Sequence, residues 1–154
     1  MTAYVTLNVL DETYAVSVAS VHELVMLQPL THVPTMPACI RGLMNLRGTV
    51  VPVVDLAQQL GLGATNIGPQ TCVIIVQAGT DDVHSPMGVL TNEVRDVIAL
   101  EESDIGAVPA FGTTVDTAYL AGVTRLGGRY VLILDLAKIL TPDELLAVVE
   151  AERT

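Results

Sequence analysis

The 154-residue chain holds few groups suited to covalent or metal chemistry: three histidines, two cysteines and no tryptophan. His32 precedes Cys39 by seven residues in a proline-rich stretch, so a Cys/His nucleophile pair with Asp55 as its orienting acid is one arrangement to weigh. Such a site needs a base to take the thiol proton and a carboxylate to hold that base, and all three residue types are present. Against it, Cys39 heads an apolar run, and Asp55 stands directly before Leu56-Ala57-Gln58-Gln59, where a carboxylate capping a short helix is expected. Asp135 repeats that context with no cysteine or histidine beside it. The chain has no Gly-x-Ser-x-Gly or phosphate-cradling Gly-x-x-x-x-Gly-Lys sequence. His22, His32 and His84 lack metal-ligand spacing, and Cys39 and Cys72 form neither a Cys-x-x-Cys pair nor a disulfide framework. No catalytic residue, metal site or cofactor is assigned on these grounds.

Recognition is the chemistry better represented, between Ile40 and Leu56. Gly42 sits inside an apolar run, where it marks a bulge or permits close backbone approach by another chain; Pro52 sits inside the next run, at an edge or bulged position. Between them, Arg47-Gly48 supplies a turn carrying a planar five-donor guanidinium in an acidic chain. Arg47 has two compatible readings, an intramolecular clamp on a carboxylate and an interface residue.

The elements that must position these residues are mostly strands. Val and Ile are abundant, and apolar runs of about five to eight residues alternate with Gly, Pro, Asp and Thr. Residues 3–10 and 14–18 are expected to form a hairpin, followed by strands at 22–27, 40–46 and 50–54. Residues 55–60 are expected to form a short helix, capped by Asp55 with Gln58 reaching back to the cap. A terminal helix is expected from 141, with Thr141 as cap, Pro142 at the first helical position and Glu144 closing a capping box.

The chain also repeats itself. Residues 39–60 align with 119–140 at an offset of 80, with eight of twenty-two positions identical, among them Gly42/Gly122, Gly48/Gly128 and Asp55/Asp135. Upstream, 14–27 aligns with 87–100 at an offset of 73, pairing Val16/Val89, Val21/Val94 and Leu27/Leu100. Each half then has about five strands, enough for a small closed or partly closed barrel. The expected organisation is a first barrel half over 1–65, a second over 66–140 and a C-terminal helix over 141–154. Two apolar cores should be joined by a third apolar layer where the barrels meet.

Composition narrows the partners. The net charge of −10, with seven scattered Lys and Arg, argues against nucleic acid and against an anionic membrane surface. Hydrophobic residues make up 51% of the chain, yet no apolar stretch approaches the roughly 20 residues that span a bilayer, and no signal peptide is visible at Met1-Thr2-Ala3-Tyr4. Direct membrane insertion is not expected and the cytoplasm is the default location.

Ile40-Arg41-Gly42-Leu43-Met44-Asn45-Leu46-Arg47-Gly48-Thr49-Val50-Val51-Pro52-Val53-Val54-Asp55-Leu56 closely resembles the signature of the CheW family of chemotaxis adaptors. The likeness extends through Val21-His22-Glu23-Leu24, Asn92-Glu93-Val94-Arg95-Asp96-Val97-Ile98, Tyr119-Leu120-Ala121-Gly122 and Leu132-Ile133-Leu134-Asp135. It implies a mainly β fold of two five-stranded SH3-like barrels, and a non-catalytic scaffold coupling chemoreceptors to the CheA histidine kinase. Its implied partners are the chemoreceptor cytoplasmic tip, a helical hairpin, and the regulatory domain of a CheA-type kinase, with recruitment to membrane-associated receptor arrays. Self-association in rings is left open. By matching motif positions, Val21, Glu23, Gly42, Arg47 and Val97 are candidates for receptor binding; no kinase-binding residue is assigned. A scaffold serving surface or pilus motility is the alternative output. The chain departs from many family members in having Ala121 before the glycine of its second repeat, and Leu126-Gly127-Gly128-Arg129 differs from Leu46-Arg47-Gly48-Thr49, so an arginine-dependent contact should belong to the first half.

Overall fold

The expected N-terminal hairpin forms from β1 (Thr2–Val9) and β2 (Glu12–Ser17), joined by a two-residue turn in which Leu10 takes a positive φ of 55°. The computed structural model describes residues 1–80, 83–108 and 115–140. A single 3₁₀ turn, Val18–Ser20, carries the chain to β3 (Glu23–Met26), then to the two-residue β4 (Leu30–Thr31), β5 (Ile40–Leu46) and β6 (Thr49–Asp55). One helical turn, α1 (Leu56–Gln59), closes this half. The second half runs β7 (Cys72–Thr80), β8 (Val83–Thr91), β9 (Glu93–Leu100), β10 (Leu120–Leu126), β11 (Arg129–Leu134) and α2 (Leu136–Ile139). The helix expected over 141–154 lies outside the described residues.

These strands make two sheets, ordered β10-β11-β2-β1-β9 and β3-β7-β8-β6-β5-β4. Taking β1, β2, β3, β5 and β6 as counterparts of β7 to β11, the two orders match position for position; among the described residues the short β4 is the only addition. The repeat found in the sequence is thus a repeat of architecture, with one rearrangement. The halves 1–65 and 66–140 are units of sequence repetition and not of sheet membership, because each lends its opening hairpin to the other's sheet. The 3₁₀ turn after β2 is where the first half crosses over, and the loan is sealed by the only parallel ladders among the described residues, β2 with β11 and β8 with β6.

Three apolar clusters follow from strand alternation. Met44, Val51, Val53, Val73, Ile75 and Leu90 come from one sheet alone. Ala15, Leu100, Val131 and Ile133 come from the other. A buried cluster supplied by one sheet requires that sheet to curl round it, which is the barrel-like shape expected. The third and largest cluster draws on both sheets, with Leu7, Val16 and Leu134 from one and Ile74, Val89 and Val54 from the other. It is the layer between the barrels, and it accounts for strands such as β7 being apolar at successive positions.

The helix caps depart from expectation in one detail. Asp55 accepts from the Ala57 amide as expected, but Gln58 does not reach back; its Oε1 is buried without a hydrogen-bond partner. The neighbouring Gln59 instead donates to the Ile139 carbonyl at 3.0 Å, tying α1 to α2 across the repeat.

Candidate docking site

Arg47 and Gly48 are the two central residues of the β5–β6 hairpin, with φ of 51° and 88°. Positive φ at both positions defines the tight turn whose twist suits a hairpin, and it normally selects Asn or Gly. The β10–β11 hairpin makes the same turn with Gly127 and Gly128, at 56° and 81°, which any chain does without steric cost. Arg47 therefore occupies a backbone state that costs an L-residue on the order of 1–2 kcal/mol, where its repeat counterpart is glycine. What this achieves is position: the guanidinium Nη2 donates to Glu23 Oε2 at 2.6 Å, on the first residue of β3.

That contact holds the Glu23 carboxyl below the ordinary glutamate range, chiefly through the hydrogen bond from Arg47, against a smaller opposing effect of desolvation and with help from the charges of Arg47 and His22. Glu23 in turn raises the Arg47 guanidinium. A carboxyl held low keeps its partner at any pH above the ordinary range and loses it only as pH falls through the lowered value. Both side chains remain solvent-accessible, so the clamp and the interface reading of Arg47 are compatible. The pair lies at the rim of a surface pocket of about 260 Å³ floored by Val51 and Ile75.

The repeat supplies a counterpart pocket of about 450 Å³ on the other barrel, where Arg95, Asp96, Gly127 and Arg129 stand in place of His22, Glu23, Arg47 and Thr49. Among the described residues no ion pair bridges this second rim. Arg125 packs instead over the Tyr130 ring at 5.7 Å.

The other candidates are distributed differently. Val21 packs against the layer between the barrels. Gly42 lies at a bulge in β5, and a Cβ there would meet the Thr31 carbonyl oxygen at 2.8 Å and Leu30 Cβ at 3.1 Å. The close approach expected at Gly42 from another chain is made instead by the chain's own β4. Gly122 repeats the device, its Cβ position facing Ile105 and Gly106. Gly42→Asp is expected to lower the thermal midpoint and not merely to weaken docking, with even a methyl group at this site costing about 1–3 kcal/mol; circular dichroism melting checks it. Val97 is 69% exposed on β9, the edge of the other sheet.

Val97 has a companion the sequence did not single out. Leu24 is its repeat counterpart at the offset of 73, and it too is exposed, at 45%. Val97 pairs with Val5 and Leu24 with Ile74, and paired residues share a face. Since Val5 and Ile74 both belong to the central layer, Leu24 and Val97 stand on the layer-facing sides of the two edge strands, where that layer meets solvent. Val50 and Tyr130, counterparts at the offset of 80, are 53% and 74% exposed. The signal for all four was available: apolar residues at matching repeat positions. What the sequence lacked was which face meets water.

A model of the CheW-like domain matches residues 3–144. The chain belongs to the CheW family. The chemotaxis protein CheW of Klebsiella aerogenes is 30% identical over 135 residues, covering 88% of this chain and 79% of that protein. That of Bacillus subtilis is 33% identical over 131 residues, covering 84% and 81%. The solved structure of the scaffolding protein TtCheW from Thermoanaerobacter tengcongensis superposes with a TM-score of 0.81 at 28% identity, covering 93% of this chain and 90% of that one. CheW-family scaffolds are non-catalytic, and this chain is a chemotaxis coupling scaffold of that family.

The thiol-enzyme arrangement fares accordingly. Asp55 Oδ1 accepts from the Ala57 amide and the Thr65 hydroxyl, and Oδ2 from Arg41 and the Thr65 amide, at 2.7–3.0 Å. A buried carboxylate with four donors is not placed to orient His32, which is exposed. In this CheW-family chain Arg41 is the residue that Ala121 replaces in the second repeat, so the missing basic residue there is a missing internal brace.

Proposed function

We propose that this chain couples the cytoplasmic tip of a chemoreceptor to the regulatory domain of a CheA-type histidine kinase, in the cytoplasm and at membrane-associated receptor arrays. The observation that supports this reading is the Arg47 turn: an exposed arginine kept in a conformation its repeat gives to glycine, and clamped to Glu23 on an edge strand, is a backbone cost without an evident packing return. A receptor helical hairpin would bring apolar side chains to Leu24 and Val97 at the margin of the central layer, with Val21 beneath and the Glu23–Arg47 pair setting register. Gly42 serves this surface indirectly, by letting β4 close on β5.

Co-sedimentation with receptor cytoplasmic fragments and kinase tests the reading. The chain is expected to pellet with both and to raise receptor control of kinase activity; failure to join either overturns it. Val97→Arg is expected to weaken receptor binding by roughly tenfold or more, as the loss of a central apolar anchor does, with the melting curve unchanged because Val97 is exposed.

A further inference from the structure

Resting on that reading, we infer that Asn45 is the positioning residue of the docking site, holding the Arg47–Gly48 turn in the form that delivers the guanidinium to Glu23. Asn45 Oδ1 accepts the Gly48 amide at 2.8 Å. It is the side-chain acceptor closing a turn whose first central residue is not glycine. An exposed Asn contributes little to packing, and this one faces Val50 across the hairpin, another exposed residue.

The second repeat provides the control built into the molecule. There the turn is Gly127-Gly128, which needs no help to reach positive φ, and the position of Asn45 is taken by Arg125, stacked on Tyr130. The bracing side chain and the strained arginine occur together in one repeat and are absent together from the other. An acceptor three residues before a donor amide fixes a turn locally. Without it the hairpin can relax its Arg47 backbone, and a long side chain displaced at its root no longer ends on Glu23.

The test needs no receptor. By NMR on the full chain, Asn45→Ala is expected to speed exchange of the Gly48 amide roughly fivefold, the effect of losing one ordinary hydrogen bond, and to move the Glu23 carboxyl titration up toward the ordinary glutamate range. Asn45→Asp, which keeps an oxygen acceptor, is expected to restore slow Gly48 exchange. Receptor co-sedimentation of Asn45→Ala should fall toward that of Arg47→Ala, with an unchanged melting midpoint. A Glu23 titration that stays low in Asn45→Ala, or Gly48 exchange that Asn45→Asp fails to slow, overturns the assignment. If the Glu23 shift occurs but the wild-type chain binds no receptor, the positioning role stands and the docking reading falls.

Discussion

Asp55→Ala is expected to destabilise the protein by about 3–5 kcal/mol, the range for breaking a buried ion pair from one side. Asp55 is fully buried and gathers Arg41, the Ala57 amide and both donors of Thr65. Removing it leaves a buried hydroxyl and two buried amides short of acceptors, and leaves the half-buried Arg41 guanidinium with the Thr65 carbonyl alone. Against a typical total of about 5–15 kcal/mol, this is a large share of the folding free energy. The repeat again supplies the comparison. Asp135 caps α2 through the Lys138 amide at 3.2 Å and is only partly buried, so Asp135→Ala is expected to cost about 1 kcal/mol, as the loss of a helix cap does. Urea denaturation of the two variants measures the contrast; equal losses would show that the Asp55 network contributes no more than a cap.

Arg47→Gly is expected to have the opposite profile. It converts the β5–β6 turn into the Gly-Gly turn already used by β10–β11, so the fold should be retained, with relief of the αL strain roughly offsetting glycine's greater freedom in the unfolded chain. Receptor coupling, however, should fall by roughly tenfold or more, since arginine anchors of this kind concentrate binding energy. Thermal melting together with receptor-dependent kinase activation distinguishes the outcomes. A melting midpoint that drops sharply would assign Arg47 to the fold, and unchanged coupling would remove it from the interface.

Much of this architecture was legible in the residues. Strand β5 was placed to its end residues, the Asp55 cap was anticipated, and the repeat pointed to two barrels with an apolar layer between them. Those features are local or periodic, so alternation and turn chemistry suffice to find them. The hairpin exchange was not legible, because the change of offset from 73 to 80 reports loop length and carries no information on which sheet a hairpin joins. The brace around Asp55 was missed for a related reason. Its partner Thr65 lies ten residues on, in a glycine-rich loop with no periodicity, and only the folded path brings its amide and hydroxyl to the carboxylate. At the candidate docking site, Arg47 and Glu23 were each singled out, but their pairing depends on β3 lying along the mouth of the β5–β6 hairpin, a relation between strands that share no ladder.

The lent hairpins also govern the order in which the molecule is able to form. Val5, Leu7 and Val9 of the β1–β2 hairpin are buried, yet β9 and β11, the strands that flank that hairpin, are not complete until residues 100 and 134. Until those strands are made the β1–β2 hairpin is an isolated two-stranded ribbon, which is marginal in water. Neither barrel closes before the second hairpin is made, and the one that holds β1 and β2 closes only with β11. Folding is therefore weighted toward late, long-range pairing, which is slow and leaves apolar edges open to neighbouring nascent chains.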